Sequence, residues 1–199
     1  DYIRFPSDGP MNDIAFSWSE GRKKSEVLED FFIYLSEQLK PTGAVLSADL
    51  FGMTTTNTDD LNIGQVLEKA APHFDFISPM VYPSHYPPHF LGMDNPNRYP
   101  YEVVKYSMSE AVKRFLATTT KVALMGKEPL STTTRPFLYP KKPFVIQKLR
   151  PWLQDFDYGG NYDVKEVRAQ IQAVYDAGLT SWMLWSPSNR YTRGALLSK

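Results

Sequence analysis

Three carboxylates stand where strand-like segments end. Asp1 heads Asp1-Tyr2-Ile3-Arg4-Phe5-Pro6, and this apolar run stops at a turn cluster, Ser7-Asp8-Gly9-Pro10. Asp49 lies at the C-terminal end of the buried-strand pattern 44–51, which Gly52 closes. Asp155 ends a strand-like run within residues 145–156. α/β enzymes build their sites at the C-terminal ends of strands, where acids distant in sequence converge on one pocket. Carboxyl groups so gathered can serve as general acid, general base or nucleophile. Any one of these aspartates could equally be a strand-end cap or an ion-pair partner. All three together are harder to explain that way.

Aromatic side chains accompany the acids. Aromatics make up 14% of the chain, with 12 Tyr and 4 Trp. Most of the Phe residues read as core. Tyr82, His85 and Tyr86 lie at or after the end of a third strand pattern, 74–82, and Trp152 and Trp185 lie on strand runs. Tyr and Trp near a strand end offer flat amphipathic faces to a ligand. Helix–sheet packing is the competing use, and it suits Trp152 and Trp182 better than Trp185. Arg4 could pair with Asp1 or Asp8, or bind substrate.

Other chemistries lack their residues. The chain has no cysteine, which removes disulfides, thiolate metal sites and Cys nucleophiles. His85 and His89 are spaced as in a helical zinc motif, but Pro87 and Pro88 between them forbid the helix, so no metal is expected. There is no Gly-rich phosphate loop and no Ser-His-Asp set, and no lysine ends a strand where a Schiff base would form. No cofactor is expected. Thr54-Thr55-Thr56 and Thr118-Thr119-Thr120 read as solvated loop ends.

The elements that must position these residues alternate. Helices are expected over 25–40 (N-cap Ser25; stripe Val27, Leu28, Phe31, Phe32, Leu35, Leu39), 63–71, 100–117 and from 163 to Gly178. Asp163 and Glu166 form a capping box for the last of these. Strands are expected over 44–51, 74–82, 121–125 (weakly), within 145–156, and over 180–187. Pro79 inside the second argues for a strand end or bulge. Residues 83–98 form a long Pro- and aromatic-rich loop, and 128–142 look like an insertion. Strand and helix alternating throughout indicate a parallel α/β fold, roughly half of an eight-fold barrel.

Size and charge fit one domain. The 199 residues are 42% hydrophobic and 22% charged, a globular balance, and Lys+Arg and Asp+Glu both number 22. That neutrality gives no reason to expect nucleic acid or an anionic surface as partner. No apolar run is long enough to span a membrane.

Four motifs in order carry a resemblance: Asp1-Tyr2-Ile3-Arg4-Phe5-Pro6-Ser7-Asp8-Gly9, residues 77–86, residues 149–156, and residues 182–189 with Tyr191-Thr192. They resemble a bacterial family assigned as glycoside hydrolases, regarded as TIM barrels distantly related to α-amylase-like enzymes. The resemblance implies that residues 1–199 are one partial (β/α)8 TIM barrel, running from the end of strand 4 through strand 8. Asp1, Asp49 and Asp155 would then end strands 4, 5 and 7, the layout of the amylase acids. The chain departs from the amylase pattern in having Asp49 where an amylase has Glu, and its nearby arginine, Arg4, follows the first aspartate.

Glycoside hydrolysis uses one carboxyl group to protonate the leaving oxygen and another as nucleophile or base. On this reading Asp1 is nucleophile or base, Asp49 is acid, and Asp155 positions hydroxyls. Arg4, Tyr82, His85, Tyr86, Trp152 and Trp185 line sugar subsites. The expected partner is an oligo- or polysaccharide of the cell surface or environment, and a secreted or envelope location goes with it. The alternative is a catalytically silent sugar-binding barrel. A half-barrel on its own would expose strand edges and an apolar face, and is expected to be unstable or to dimerise.

Overall fold

Apolar residues at alternating positions along four short strands decide which face of the sheet is covered. The structure, a computed structural model, describes residues 3–17, 19–131, 133 and 136–196. Asp1 therefore lies outside the described residues. Strands β1 (Ser47–Phe51), β2 (Phe76–Met80), β5 (Trp152–Gln154) and β6 (Met183–Trp185) pair in that order, all parallel. A separate antiparallel pair joins β3 (Thr119–Thr120) to β4 (Tyr139–Pro140). The helices are α1 (Lys24–Leu39), α2 (Leu67–Ala70), α3 (Pro100–Leu116) and α4 (Val164–Asp176). Among the described residues no helix is long and apolar enough to cross a membrane.

Side chains of a strand alternate between faces. Ala48, Leu50, Ile77 and Leu153 are buried on one face, in the core shared with Phe32, Val104, Met108, Phe115, Val167, Ile171 and Val174 of the helices. Burial of each large aliphatic chain contributes about 2 kcal/mol. Ser47 and Asp49 take the alternate positions of β1, and Ser47 Oγ meets Ser78 Oγ at 3.1 Å. Pro79 sits inside β2, which is continuous through it; having no N–H to give, it leaves the β2–β5 ladder at one bridge, Ile77 to Leu149, and the Met80–Trp152 pair.

The helices follow the expected spacing closely at α3 and α4. Pro100 opens α3 at a position where its missing N–H costs nothing. The capping box of α4 is present: Asp163 accepts from Lys165 N, and Glu166 accepts from Asp163 N. Elsewhere the structure differs. The cap of α1 is Lys23, and Ser25 is buried in its first turn. Phe31, expected in the buried stripe, is exposed and stacks on Tyr34 at 6.3 Å. The helix expected over 63–71 is the single turn α2. No strand forms over 121–125; the pairing falls two residues earlier at β3, after which Thr120 Oγ1 accepts from Val122 N and turns the chain. Thr54 and Thr55, expected in solvent, are fully buried.

Arg114 explains those two threonines. Its guanidinium, on α3, donates to the carbonyls of Thr54 (2.5 Å), Thr55 (3.1 Å) and Asn57 (2.7 Å) and pairs with Glu68 on α2 through both carboxylate oxygens. The loop after β1 is thus bolted to two helices by one planar donor array. A second buried pair, Lys69 with Glu29 at 3.1 Å, ties α2 to α1. Replacing Arg114 by Met should lower unfolding free energy by about 3 kcal/mol, because the buried Glu68 carboxylate is left without its counter-charge. Denaturant unfolding of the single variant and of Arg114→Met/Glu68→Gln measures this, and the double variant should recover part of the loss.

Candidate functional site

All four strands of the main sheet run the same way, so their C-terminal ends share one edge. The site is assembled there. Asp49, on β1, accepts a 2.8 Å hydrogen bond through Oδ1 from the indole Nε1 of Trp152, on β5. Those strands are not neighbours: β2 lies between them. Two inter-strand spacings amount to about 10 Å, a gap that a tryptophan side chain can bridge. The Trp152 ring in turn meets Trp185, at the end of β6, edge to face at 6.1 Å and 82°. Trp185 is 43% exposed, so the pair offers an aromatic surface beside the Asp49 carboxylate.

Tyr82 follows β2 and forms another side of this group. It is buried, and its ring packs edge-on against His85 (5.3 Å) and Phe156 (5.8 Å). Burial, with the nearby charge of Asp49 and the Tyr191 phenol adding to it, holds the Tyr82 hydroxyl firmly protonated, well above the usual tyrosine range. His85 Nδ1 meets Ser84 Oγ at 3.0 Å. Its walls disfavour the imidazolium and lower its pKa. His89, the other histidine of the loop, has φ +67° and pairs with Asp94 at 3.3 Å. Among the described residues no three His, Cys, Asp or Glu gather as a metal set.

Two expected site residues are placed differently. Tyr86 is enclosed, its hydroxyl 2.9 Å from Ser107 Oγ of α3 and its ring packed on Phe90 at 4.6 Å. Asp155 is 4% exposed, and both carboxylate oxygens are engaged: Oδ1 accepts from Thr192 Oγ1 (2.6 Å) and Oδ2 from Thr192 N (2.9 Å). Arg4 Nη1 donates to the Phe5 carbonyl (3.1 Å) and to Ser7 Oγ (3.0 Å). The structure therefore brings Asp49, Trp152, Trp185, Tyr82 and His85 together. It holds Tyr86 and Asp155 in interior roles.

Three glutamines that the sequence reading passed over set the geometry. Gln65 is fully buried; it accepts from Phe51 N (2.7 Å) and donates to Ile3 O (2.7 Å), so it ties the opening segment to the end of β1. Gln154 accepts from Ser84 N (3.1 Å) and donates to Phe156 O (3.0 Å), joining the loops after β2 and β5. Gln170 of α4 exchanges two bonds with the Gln154 backbone, at 2.9 and 2.8 Å. Gln170, on the buried face of α4, was the available signal; Gln65 precedes α2 and Gln154 lies on β5. Tyr191, exposed in the loop after β6, also lies near Tyr82.

An α/β sheet with an acid and exposed aromatics on the C-terminal edge defines a class of barrel-like and doubly wound folds whose sites open there. Within that class, residues 1–191 match the family described as "Putative glycosyl hydrolase domain", and the chain belongs to that family. The fold is similar to the glycoside hydrolase domain of PgaB (BpsB) from Bordetella bronchiseptica, with a TM-score of 0.51 and 16% identity over 85% of this chain. The chain covers 38% of that structure's length. At that identity the likeness is one of fold. No curated protein matches the chain in sequence.

Gly52 controls how closely the loop after β1 approaches β2. A Cβ there would lie 2.4 Å from the Met80 carbonyl oxygen and 3.0 Å from the Tyr86 hydroxyl. Gly52→Ala should therefore destabilise the fold by about 2 kcal/mol, as overpacking against backbone does, with a lowered thermal midpoint. A second expectation concerns pH. His73 is held below its ordinary pKa by burial and then by Lys40 and Lys148. In the window from the depressed native pKa up to about 6.5 the unfolded chain binds more protons, so stability should rise with pH there and be lost as pH falls. Thermal midpoints measured between about pH 8 and about pH 5.5 should show this decline, and His73→Gln should make it shallower.

Proposed function

We propose that the protein is a glycoside hydrolase that cleaves a glycosidic bond of an oligo- or polysaccharide at the C-terminal edge of the sheet. The observation that carries this reading is the Asp49 carboxyl group, held by the Trp152 indole N–H at 2.8 Å and flanked by the exposed Trp185 ring. Pyranose rings present C–H faces that pack on such aromatics, while their hydroxyls need polar partners nearby. Membership of the glycosyl hydrolase family supports the reading, as does the likeness to a glycoside hydrolase domain. The four parallel strands are, on this proposal, part of a (β/α)8 barrel.

In the proposed mechanism Asp49 takes up a proton from solvent before reaction and delivers it to the leaving glycosidic oxygen. Asp1 attacks the anomeric carbon, or takes a proton from the water that does. Gln65 holds the Ile3 carbonyl beside Phe51 N, tying the opening segment to the end of β1. The indole N–H of Trp152 fixes the orientation of Asp49. Trp185 and Tyr82 bind the sugar, with Tyr82 offering a protonated hydroxyl. Because both oxygens of Asp155 are engaged by Thr192, it acts here through that loop.

A second reading, a sugar-binding protein without catalysis, draws on the same aromatic surface and on the engagement of Asp155, which leaves fewer free carboxylates. Substitution in the full-length protein separates the two. Asp49→Asn should lower the rate of glycan cleavage by about a hundred- to ten-thousand-fold while glycan binding persists. Trp185→Ala should weaken binding. Cleavage that survives Asp49→Asn removes Asp49 from the mechanism; binding without cleavage in the wild type favours the second reading.

A further inference from the structure

We infer that Tyr191 is a substrate-contacting residue of this site and that Asp155 is the positioning residue that holds it there, acting through Thr192. The inference rests on the sugar-binding reading above and extends it to Tyr191, which that reading did not use.

The loop leaves the sheet at the end of β6. Asp155 N donates to the Trp185 carbonyl at 2.9 Å, so the residue after β5 and the end of β6 are locked together where the loop begins. The chain then turns through Asn189, whose φ of +56° is tolerated by asparagine and whose N–H returns to Ser186 O at 3.1 Å. It comes back so that Thr192 gives both its N–H and its hydroxyl to the buried Asp155 carboxylate. A carboxylate accepting two short bonds from one residue is a strong and directional anchor. Hydrogen bonds to a charged group are stronger than those between neutral groups, which suits them to hold a loop. The ends of the loop are thus fixed on the edge that carries Trp185.

Tyr191 immediately precedes the anchor. Its side chain is 42% exposed and lies within electrostatic range of the Tyr82 phenol, which is in turn within range of Asp49. Tyr82 is largely buried, but its hydroxyl is not among the enclosed polar atoms left without a partner, so it remains open to a ligand. The Tyr82 and Tyr191 phenols therefore lie near one another and near the Asp49 carboxylate. A ligand rich in hydroxyl groups and with apolar C–H faces suits this pair, since the Tyr82 hydroxyl can bond to it and the exposed Tyr191 ring gains a face to cover. Thr192 keeps Tyr191 within reach; the two residues should behave as one energetic unit.

The test uses the full-length protein and has two arms. Limited trypsin digestion under native conditions reads the anchor, because Arg190 lies in the exposed stretch that the anchor restrains. Thr192→Val and Asp155→Asn should each speed cleavage after Arg190 by about tenfold, with Thr192→Ser near wild type and Asp49→Asn unchanged, since opening by a few hydrogen bonds changes local exposure by such factors. The second arm measures binding of soluble hexasaccharides of glucose, N-acetylglucosamine and galactose. Tyr191→Ala should weaken binding of the hexasaccharide that the wild type takes by about tenfold. Thr192→Val should weaken it similarly, and the double variant should be little worse than either, as expected of coupled residues. Unchanged trypsin rates in both anchor variants overturn the positioning role of Asp155. Unchanged binding in Tyr191→Ala, or additive losses in the double variant, overturn the Tyr191 contact or its coupling to the anchor. A wild type that binds none of the three sugars overturns the sugar reading of the site, and with it the contact role, while the trypsin arm still decides the anchor.

Discussion

Parallel pairing is the constraint on which the remaining structure depends. Two parallel strands cannot be joined by a tight hairpin; each connection must run back along the sheet, and helices are the economical way to do it. The order β1-β2-β5-β6 therefore requires the helices α2, α3 and α4 between strands, and it delivers every strand's C-terminal end to one edge. Asp49 and Trp152 are 103 residues apart in sequence, yet share a hydrogen bond because of that geometry. The same geometry sets Tyr82, Asp155 and Trp185 around them.

A sheet made this way has two unlike faces. The helix side is aliphatic, and its burial supplies most of the stabilisation. The other side carries the Ser47–Ser78 hydroxyl pair, Asp49 and the Trp152–Trp185 pair. Polar groups on that face are satisfied by one another: the indole N–H finds a carboxylate, and a serine finds a serine. Where connecting loops approach the core, buried polar side chains replace regular ladders. Gln65, Gln154, Gln170 and Arg114 each satisfy backbone groups that a loop leaves unpaired, at distances of 2.5–3.1 Å for their loop contacts. A buried amide or carbonyl without a partner would cost about as much as such a side chain gains.

Local signals proved readable where local physics decides. The apolar spacing of α3, the proline at its start and the Asp163–Glu166 box of α4 need only neighbouring residues, and they appear as expected. The alternation that puts Asp49 opposite to Leu50 is equally local. Signals failed where a distant partner decides. Thr54 and Thr55 look like solvent-facing loop residues until Arg114 arrives from α3 to take their carbonyls. Glu29 on α1 and Glu68 and Lys69 on the single turn α2 look like surface charges until they pair with buried counter-charges. Thr119–Thr120 forms a strand because Tyr139–Pro140 comes back beside it across a long insertion.

The amino-acid sequence by itself determined the alternation of strand and helix, the placing of acids near strand ends, and the aromatics that accompany them, because each of these follows from spacing along one segment. Tertiary structure alone decided what each acid does. Asp49, the middle residue of β1, and Asp155, the residue after β5, are the same residue type on two parallel strands. One meets an indole N–H on the open face, and the other is closed off by the backbone and hydroxyl of Thr192. The difference lies in which remote donor the fold delivers to each carboxylate, and nothing within a few residues of either aspartate encodes it.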